Sequence, residues 1–428
     1  MTDYRAKVRR LSDALVDAQK PIRILDAIKW DHQVELDFFA AKARELPKVD
    51  ASSYARVPLG FDPPRKASEL RELAALIGSE LGAQDDLGKL MAEIAAEYAL
   101  ACEMLAARGT SRFYEISRTL YGSPKDRFAA DSHSIRDQSR LLYDTLSVLE
   151  GKQLGKEYPK SIASGDAVRA LQRRFDSSFM KGQVEVRVSD GIVADAAAGS
   201  SEIKLKEGAL FSLKDIEILE VHEGWVHVAT TLNGRAQTTS TFLAKGPPRC
   251  AATQEGLAIL MEILTFSSYP LRARSINDRV LGIDKAEDGG DFLDLYRYYL
   301  DEGYSEPEAF RNSMRVCRGG MVKGGAPFTK DISYCKGFVE NYNFIRAAIR
   351  RGRPELIPFL FAGKMRVEDV PLLYAKHLEG LVDAPSLLPP QFSDLNGLAV
   401  WMSFSNFLNS VDMTLVQARY DALFAEHL

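Results

Sequence analysis

Apolar and polar positions recur at helical spacing over most of the chain. Residues 1–45 mix charged and apolar side chains with a period near 3.6 and read as helix, with Pro21 opening a new segment. Pro47, Pro58, Pro63 and Pro64 mark residues 46–65 as a loop. From Ala67 to Arg108 the alanine- and leucine-rich text, such as LMAEIAAEYALACEMLAARG, predicts continuous helix, and Gly109 can end it as a left-handed cap. Further helices fit 110–121 and 134–151.

The period changes near Gln183. VEVRVSDGIVADAAAGSSEIKLKEG holds two short β-rich runs, 184–188 and 202–206, punctuated by Gly191 and Gly199. This is the one clearly strand-rich part of the sequence. Directly after it, Ser212 and Asp215 form an S-x-x-D capping box, so LEVHEGWVHVATTLNG reads as a helix that follows β-structure, with Asn233-Gly234 as its stop. Thr253 is the expected cap of the next helix, TQEGLAILMEILTFSSYP, which should end at Pro270. A glycine-rich interruption covers 317–338, and a last helix spans about 394–427. The expected fold is α+β, mostly helical, with a small central sheet just before the HEGWVH helix. The expected division is an N-terminal helical region, 1–150, and a core with a helical C-terminal part, 151–428.

Composition narrows the function classes. With 46% hydrophobic and 27% charged residues the chain is that of an ordinary globular protein. A net charge of −4 gives no basic footprint, so nucleic acid is not an expected partner. No apolar run reaches the roughly eighteen residues that cross a bilayer, so no membrane is expected. MTDYRAKVRR lacks the apolar centre of a signal peptide. Cys102, Cys250, Cys317 and Cys335 form no C-x-x-C pair, which fits a reducing compartment and argues against a cysteine zinc cage. The expected location is the cytoplasm.

The chemistry centres on His222, Glu223 and His227. Only six histidines occur in 428 residues, so a pair this close, with a glutamate after the first, is uncommon by accident. The familiar zinc helix, H-E-x-x-H, separates its histidines by four. Here the step is five, which on an α-helix leaves the side chains about 140° apart. A π-type turn of about 4.4 residues reduces that to about 50°, and Gly224 inside the spacer would ease the distortion. The motif is therefore compatible with zinc only if the helix is locally widened. A zinc hydrolase usually takes three protein ligands. The third would be Glu255, at the start of the next helix, or its rival Glu262, nearly on the same face. Glu223 would take a proton from the attacking water. On spacing alone, two hydrogen-bonded helix histidines and a solvated glutamate fit equally well, and Glu255 could serve only the helix dipole. Trp225 and Val226 read as core.

The glycine-rich stretch does not meet the phosphate-loop pattern, because Gly325 stands where lysine is required. Lys330 and Tyr334, four apart, can share a helix face, and with Arg318 they are candidates to hold a substrate carboxylate or an oxyanion.

HEGWVH, QEGLA and GGAPFTKDISYCKGF, with ARGTSRFYEISRTLYGSP at 107–124, resemble the QEGLA-motif family, whose bacterial members are labelled flavohemoglobin expression-modulating proteins. The resemblance covers about residues 30–420. It extends to the microtubule-associated tyrosine carboxypeptidases, zinc peptidases with an H-E-x-x-x-H motif and a downstream glutamate ligand. It implies that His222, His227 and Glu255 are zinc ligands and Glu223 the catalytic base. The resemblance is to the bacterial branch, so the tubulin substrate is not carried over. The expectation is a zinc-dependent metallopeptidase that removes a C-terminal residue from a peptide or protein. The alternative is a non-catalytic zinc-binding regulator that affects gene expression indirectly. Strand 202–206 is expected to offer an edge on which an extended peptide could pair.

Overall fold

A computed structural model describes residues 2–129, 131–150, 158–190, 192, 195–199 and 201–427. The expected punctuation at Gly191, and the end of the expected 134–151 helix at Gly151, lie outside these residues. Helices dominate, with two small sheets in the middle of the chain, as the α+β reading requires.

The first 45 residues form three helices, Thr2–Gln19, Ile24–Ala27 and His32–Ala40. The expected continuous helix from Ala67 is instead two, Pro63–Leu81 and Asp86–Ala106. Gly82 breaks the run at φ 97°, and the Asp85 side chain accepts the Gly88 N–H to start the second helix. The expected loop at 46–65 holds a short helix, Ala51–Ala55, capped by Asp50, and Pro63 already occupies the first turn of the next helix. Gly109 does take a left-handed φ of 79°, and a Cβ there would lie 2.4 Å from the Ala51 nitrogen.

β2 (Glu185–Ser189) and β4 (Glu202–Lys206) pair in parallel, Glu185 opposite Glu202, and β3 (Ala196–Ala198) pairs antiparallel to β4. The order β2-β4-β3 makes β4 the central strand, so the expected open edge at 202–206 is wrong: both of its sides are paired. Alternation along β4 buries Ile203 and Leu205 and leaves the flanking residues partly exposed. A second, two-stranded sheet joins β1 (Ile162–Ala163) to β5 (Leu210–Phe211).

The site's support comes from two apolar clusters. One packs Val8, Leu11, Leu70, Ile77 and Met91 against Val221, Val226, Leu257 and Met261, so it runs across residue 150. Another joins Phe175, Val186, Ile203, Leu205 and Ile216 to Val228, beneath the HEGWVH segment. Each fully buried side chain of this size contributes roughly 1.5–3 kcal/mol of transfer free energy. The segment is thus held on two sides by closely packed side chains. Among the described residues, no helix is long and apolar enough to cross a membrane.

Candidate metal centre

The capping box forms as expected. Ser212 Oγ accepts the Asp215 N–H while Asp215 Oδ2 accepts the Ser212 N–H, and helix Leu213–Leu219 starts there. It then widens. Glu220–Val228 is π-helical, and the Ala229 N–H reaches back five residues to the Gly224 carbonyl. The widened stretch carries both histidines, and their ring centroids are 4.9 Å apart. Gly224 serves packing here as well as conformation: a Cβ on it would lie 2.2 Å from Cε1 of the buried Phe175. The helix does not stop at Asn233-Gly234 but runs on to Ala236. Asn233 is buried, and its amide donates to the Phe361 and Leu387 carbonyls.

Glu255 comes from helix Ala251–Leu264. This helix is capped at Cys250, not at Thr253. Thr253 lies one turn inside and accepts the Val367 N–H on its hydroxyl. The helix ends at Leu264, and Pro270 opens the next one in its first turn. Glu255 Oε2 is 3.5 Å from His222 Nε2 and 3.5 Å from His227 Nε2. Donor atoms on a tetrahedral zinc, with bonds of about 2.0–2.2 Å, stand roughly 3.4 Å apart. The three donor atoms lie within 4.8 Å of one another, and no other His, Cys, Asp and Glu group among the described residues gathers so closely.

The supports of each donor are specific. His222 Nδ1 lies 2.7 Å from Glu262 Oε1, which leaves Nε2 directed at the triad. Arg272 reaches Glu262 with Nη2 at 3.0 Å and Nε at 3.4 Å. Glu262, weighed above as a rival ligand, is therefore behind His222, away from the triad. Burial would raise its pKa, but Arg272 and His222 hold it down at about 2. Burial likewise opposes charge on His222, yet Glu255 and Glu262 raise its pKa to about 10. Lys330 Nζ binds Glu255 Oε1 at 2.8 Å and so turns Oε2 toward the histidines. Glu223 is half-buried and makes no hydrogen bond or ion pair among the described residues.

The sequence profile of the family described as microtubule-associated tyrosine carboxypeptidase matches residues 36–410. The chain belongs to that family. No curated protein matches the chain. The family is one of carboxypeptidases, which places this chain among the peptidases, with a protein or peptide as substrate class. The matched span includes the triad and all of its supports, and it ends before the last helix, Met413–His427.

The QEGLA text divides into separate tasks. Gln254 Oε1 accepts from Thr230 Oγ1 at 2.8 Å and from Lys364 Nζ at 2.6 Å. Glu255 brings its Oε2 to the two histidines. Gly256 permits contact with Gly337, because a Cβ on Gly256 would lie 1.9 Å from the Gly337 carbonyl carbon. That crossing brings helix Ser333–Arg350, and with it Lys330 and Tyr334, beside Glu255. The Tyr334 ring stands 6.4 Å from the His222 ring and 5.7 Å from Lys330 Nζ. Arg318 follows helix Glu306–Cys317, buried, with its guanidinium carbon 5.9 Å from the Phe328 ring.

Sequence reasoning missed Lys364, Arg272 and Arg279. Lys364 Nζ donates to the His227 carbonyl, Thr230 Oγ1 and Gln254 Oε1, joining the π segment to the Glu255 helix. Burial lowers its pKa to about 8. No local pattern marks them: Arg272 and Lys364 meet their partners across 10 to 137 residues of chain, and Arg279 meets the Tyr334 ring, 55 residues on.

Proposed function

We propose that this protein is a zinc-dependent carboxypeptidase that removes a C-terminal residue from a peptide or protein. The observation that carries the reading is the triad: two imidazole nitrogens and one carboxylate oxygen at zinc-ligand spacing, with Glu262 fixing the back of His222. His222, His227 and Glu255 would hold the ion. Zinc, when bound, supplies Lewis acidity at the scissile carbonyl and lowers the pKa of a water toward neutrality.

The chain's own residues do the rest. Glu223, adjacent to His222 and without a partner among the described residues, accepts a proton from the water as its oxygen bonds to the carbonyl carbon. It returns that proton to the amide nitrogen as the C–N bond breaks, releasing one amino acid and a shortened chain. Tyr334, whose ring is 6.4 Å from that of His222, would donate to the developing oxyanion. Lys330 holds Glu255 in orientation.

The test joins elemental analysis to a peptide-library digest read by mass spectrometry. The expected result is one zinc per chain and loss of single C-terminal residues. Glu223→Gln should retain the zinc and lose at least about 10²–10⁴-fold in turnover. Retained zinc with no hydrolysis of any peptide by the unaltered protein would favour the regulator instead.

A further inference from the structure

The cations around Tyr334 outnumber their partners. Arg272 is paired with Glu262, Lys330 with Glu255, and Arg315 Nε with Asp331 Oδ2 at 2.8 Å. Two guanidiniums remain. Arg279, on helix Pro270–Glu287, lies with its guanidinium carbon 5.2 Å from the Tyr334 ring centroid. Arg318 is 9% exposed. The Nε of each is buried without a hydrogen-bond partner, and among the described residues neither forms an ion pair. Asp331, whose Oδ1 is also unpartnered, already binds Arg315.

A buried, unpaired guanidinium is costly. Burial first and Arg315 second bring Arg318 down to about 10, and burial also lowers Arg279. Arg318 stands three residues after Arg315, whose Nε binds Asp331, and Asp331 lies three residues before Tyr334, the ring that contacts Arg279 and flanks His222; both guanidiniums accordingly feel Tyr334, Arg315 and Asp331. A planar carboxylate can accept from two guanidiniums at once, and Arg is the residue suited to that geometry.

We propose that Arg279 and Arg318 form an anion subsite beside Tyr334 that receives the free C-terminal carboxylate of the substrate. The inference rests on the carboxypeptidase reading and supplies its missing element, the group that distinguishes a chain end from an internal peptide bond. Lys330 is excluded from this role because its ammonium is tied to Glu255.

The experiment uses the zinc-loaded Glu223→Gln protein. Its ligand is an acetylated tetrapeptide pool with a randomised last residue, supplied either as free acids or as C-terminal amides. Calorimetry should show the acids binding at least tenfold more tightly than the amides. Arg279→Gln and Arg318→Gln, each added to that background, should remove the difference by weakening acid binding alone. Arg279→Lys, which keeps the charge and guards against a folding defect, should retain part of it. Unchanged acid-over-amide discrimination in both glutamine variants overturns the subsite, whatever the parent enzyme hydrolyses. Discrimination that the two variants abolish, in a protein that hydrolyses no peptide, supports the subsite and rejects the peptidase reading.

Discussion

Single atoms decide the chemistry of this centre. Glu223 sits next to His222 in the chain, yet it alone of His222, Glu223, His227 and Glu255 is without a partner among the described residues, as a proton carrier should be. Glu262 illustrates the converse. In sequence it competes with Glu255 for the third ligand position; in space it accepts from His222 Nδ1 and is held by Arg272. Glu262→Gln should therefore weaken zinc about 10- to 100-fold without changing the stoichiometry at saturation. Competition against a chromogenic chelator reads this directly, and an unchanged affinity would show that Glu262 has no hold on the ligand.

At the scale of elements, the π segment is the decisive feature. Spacing predicted that the helix must widen between His222 and His227, and Glu220–Val228 is widened. The reason for Gly224 differs in part from the one read off the sequence. Alanine is the better helix former by about 1 kcal/mol. The 2.2 Å approach to Phe175, fixed in the cluster under β4, outweighs that gain. Gly224→Ala should cost roughly 1–3 kcal/mol, seen as a lower urea midpoint, and Phe175→Leu added to it should recover part of the loss. A stabilising Gly224→Ala would mean that the Phe175 ring yields easily. Other elements were misjudged for local reasons. Thr253 looks like a cap because threonine favours caps, but its hydroxyl is taken by Val367 one turn inside the helix. The expected last helix, about 394–427, is two, Leu395–Leu408 and Met413–His427, because Asp412 opens a new one by accepting the Thr414 N–H.

The whole molecule adds two expectations. Between Met413 and Ala425 every side chain except that of Val416 is exposed, including Leu415 and Phe424. A chain ended after Ser410 should melt within about 2 °C of the full protein, since few buried groups are lost, and should bind zinc unchanged. A fall of much more than that in differential scanning calorimetry would reveal a covered face. The second expectation concerns pH. Burial pushes Glu340 up to about 7, opposed by Lys336 4.0 Å away. The unfolded value is about 4.3. The folded state thus holds this proton more tightly, so stability is lost as pH rises from about 4.3 to 7 and is constant from this group above that. Glu340→Gln should flatten the change in urea midpoint between pH 5 and pH 8; an identical slope in the two proteins would rule out this carboxyl as its source.

Much of the helical text, the strand runs at 184–188 and 202–206, the capping box and the need for a wide turn were legible in the sequence, because each depends on side chains a few residues apart. HEGWVH and QEGLA also marked the residues that meet in the triad. What tertiary structure alone decided is everything that depends on non-local approach. Those decisions are the 3.5 Å spacing of Glu255 to both histidines, Glu262 behind His222, and Lys364 joining two helices 110 to 137 residues away. The place of β4 inside its sheet belongs with them. A periodic pattern reports which face of an element is buried, not which partner buries it. Strand 202–206 has the same alternation whether it is central or at an edge. An arginine that holds a glutamate and one left to meet a substrate carry the same letter.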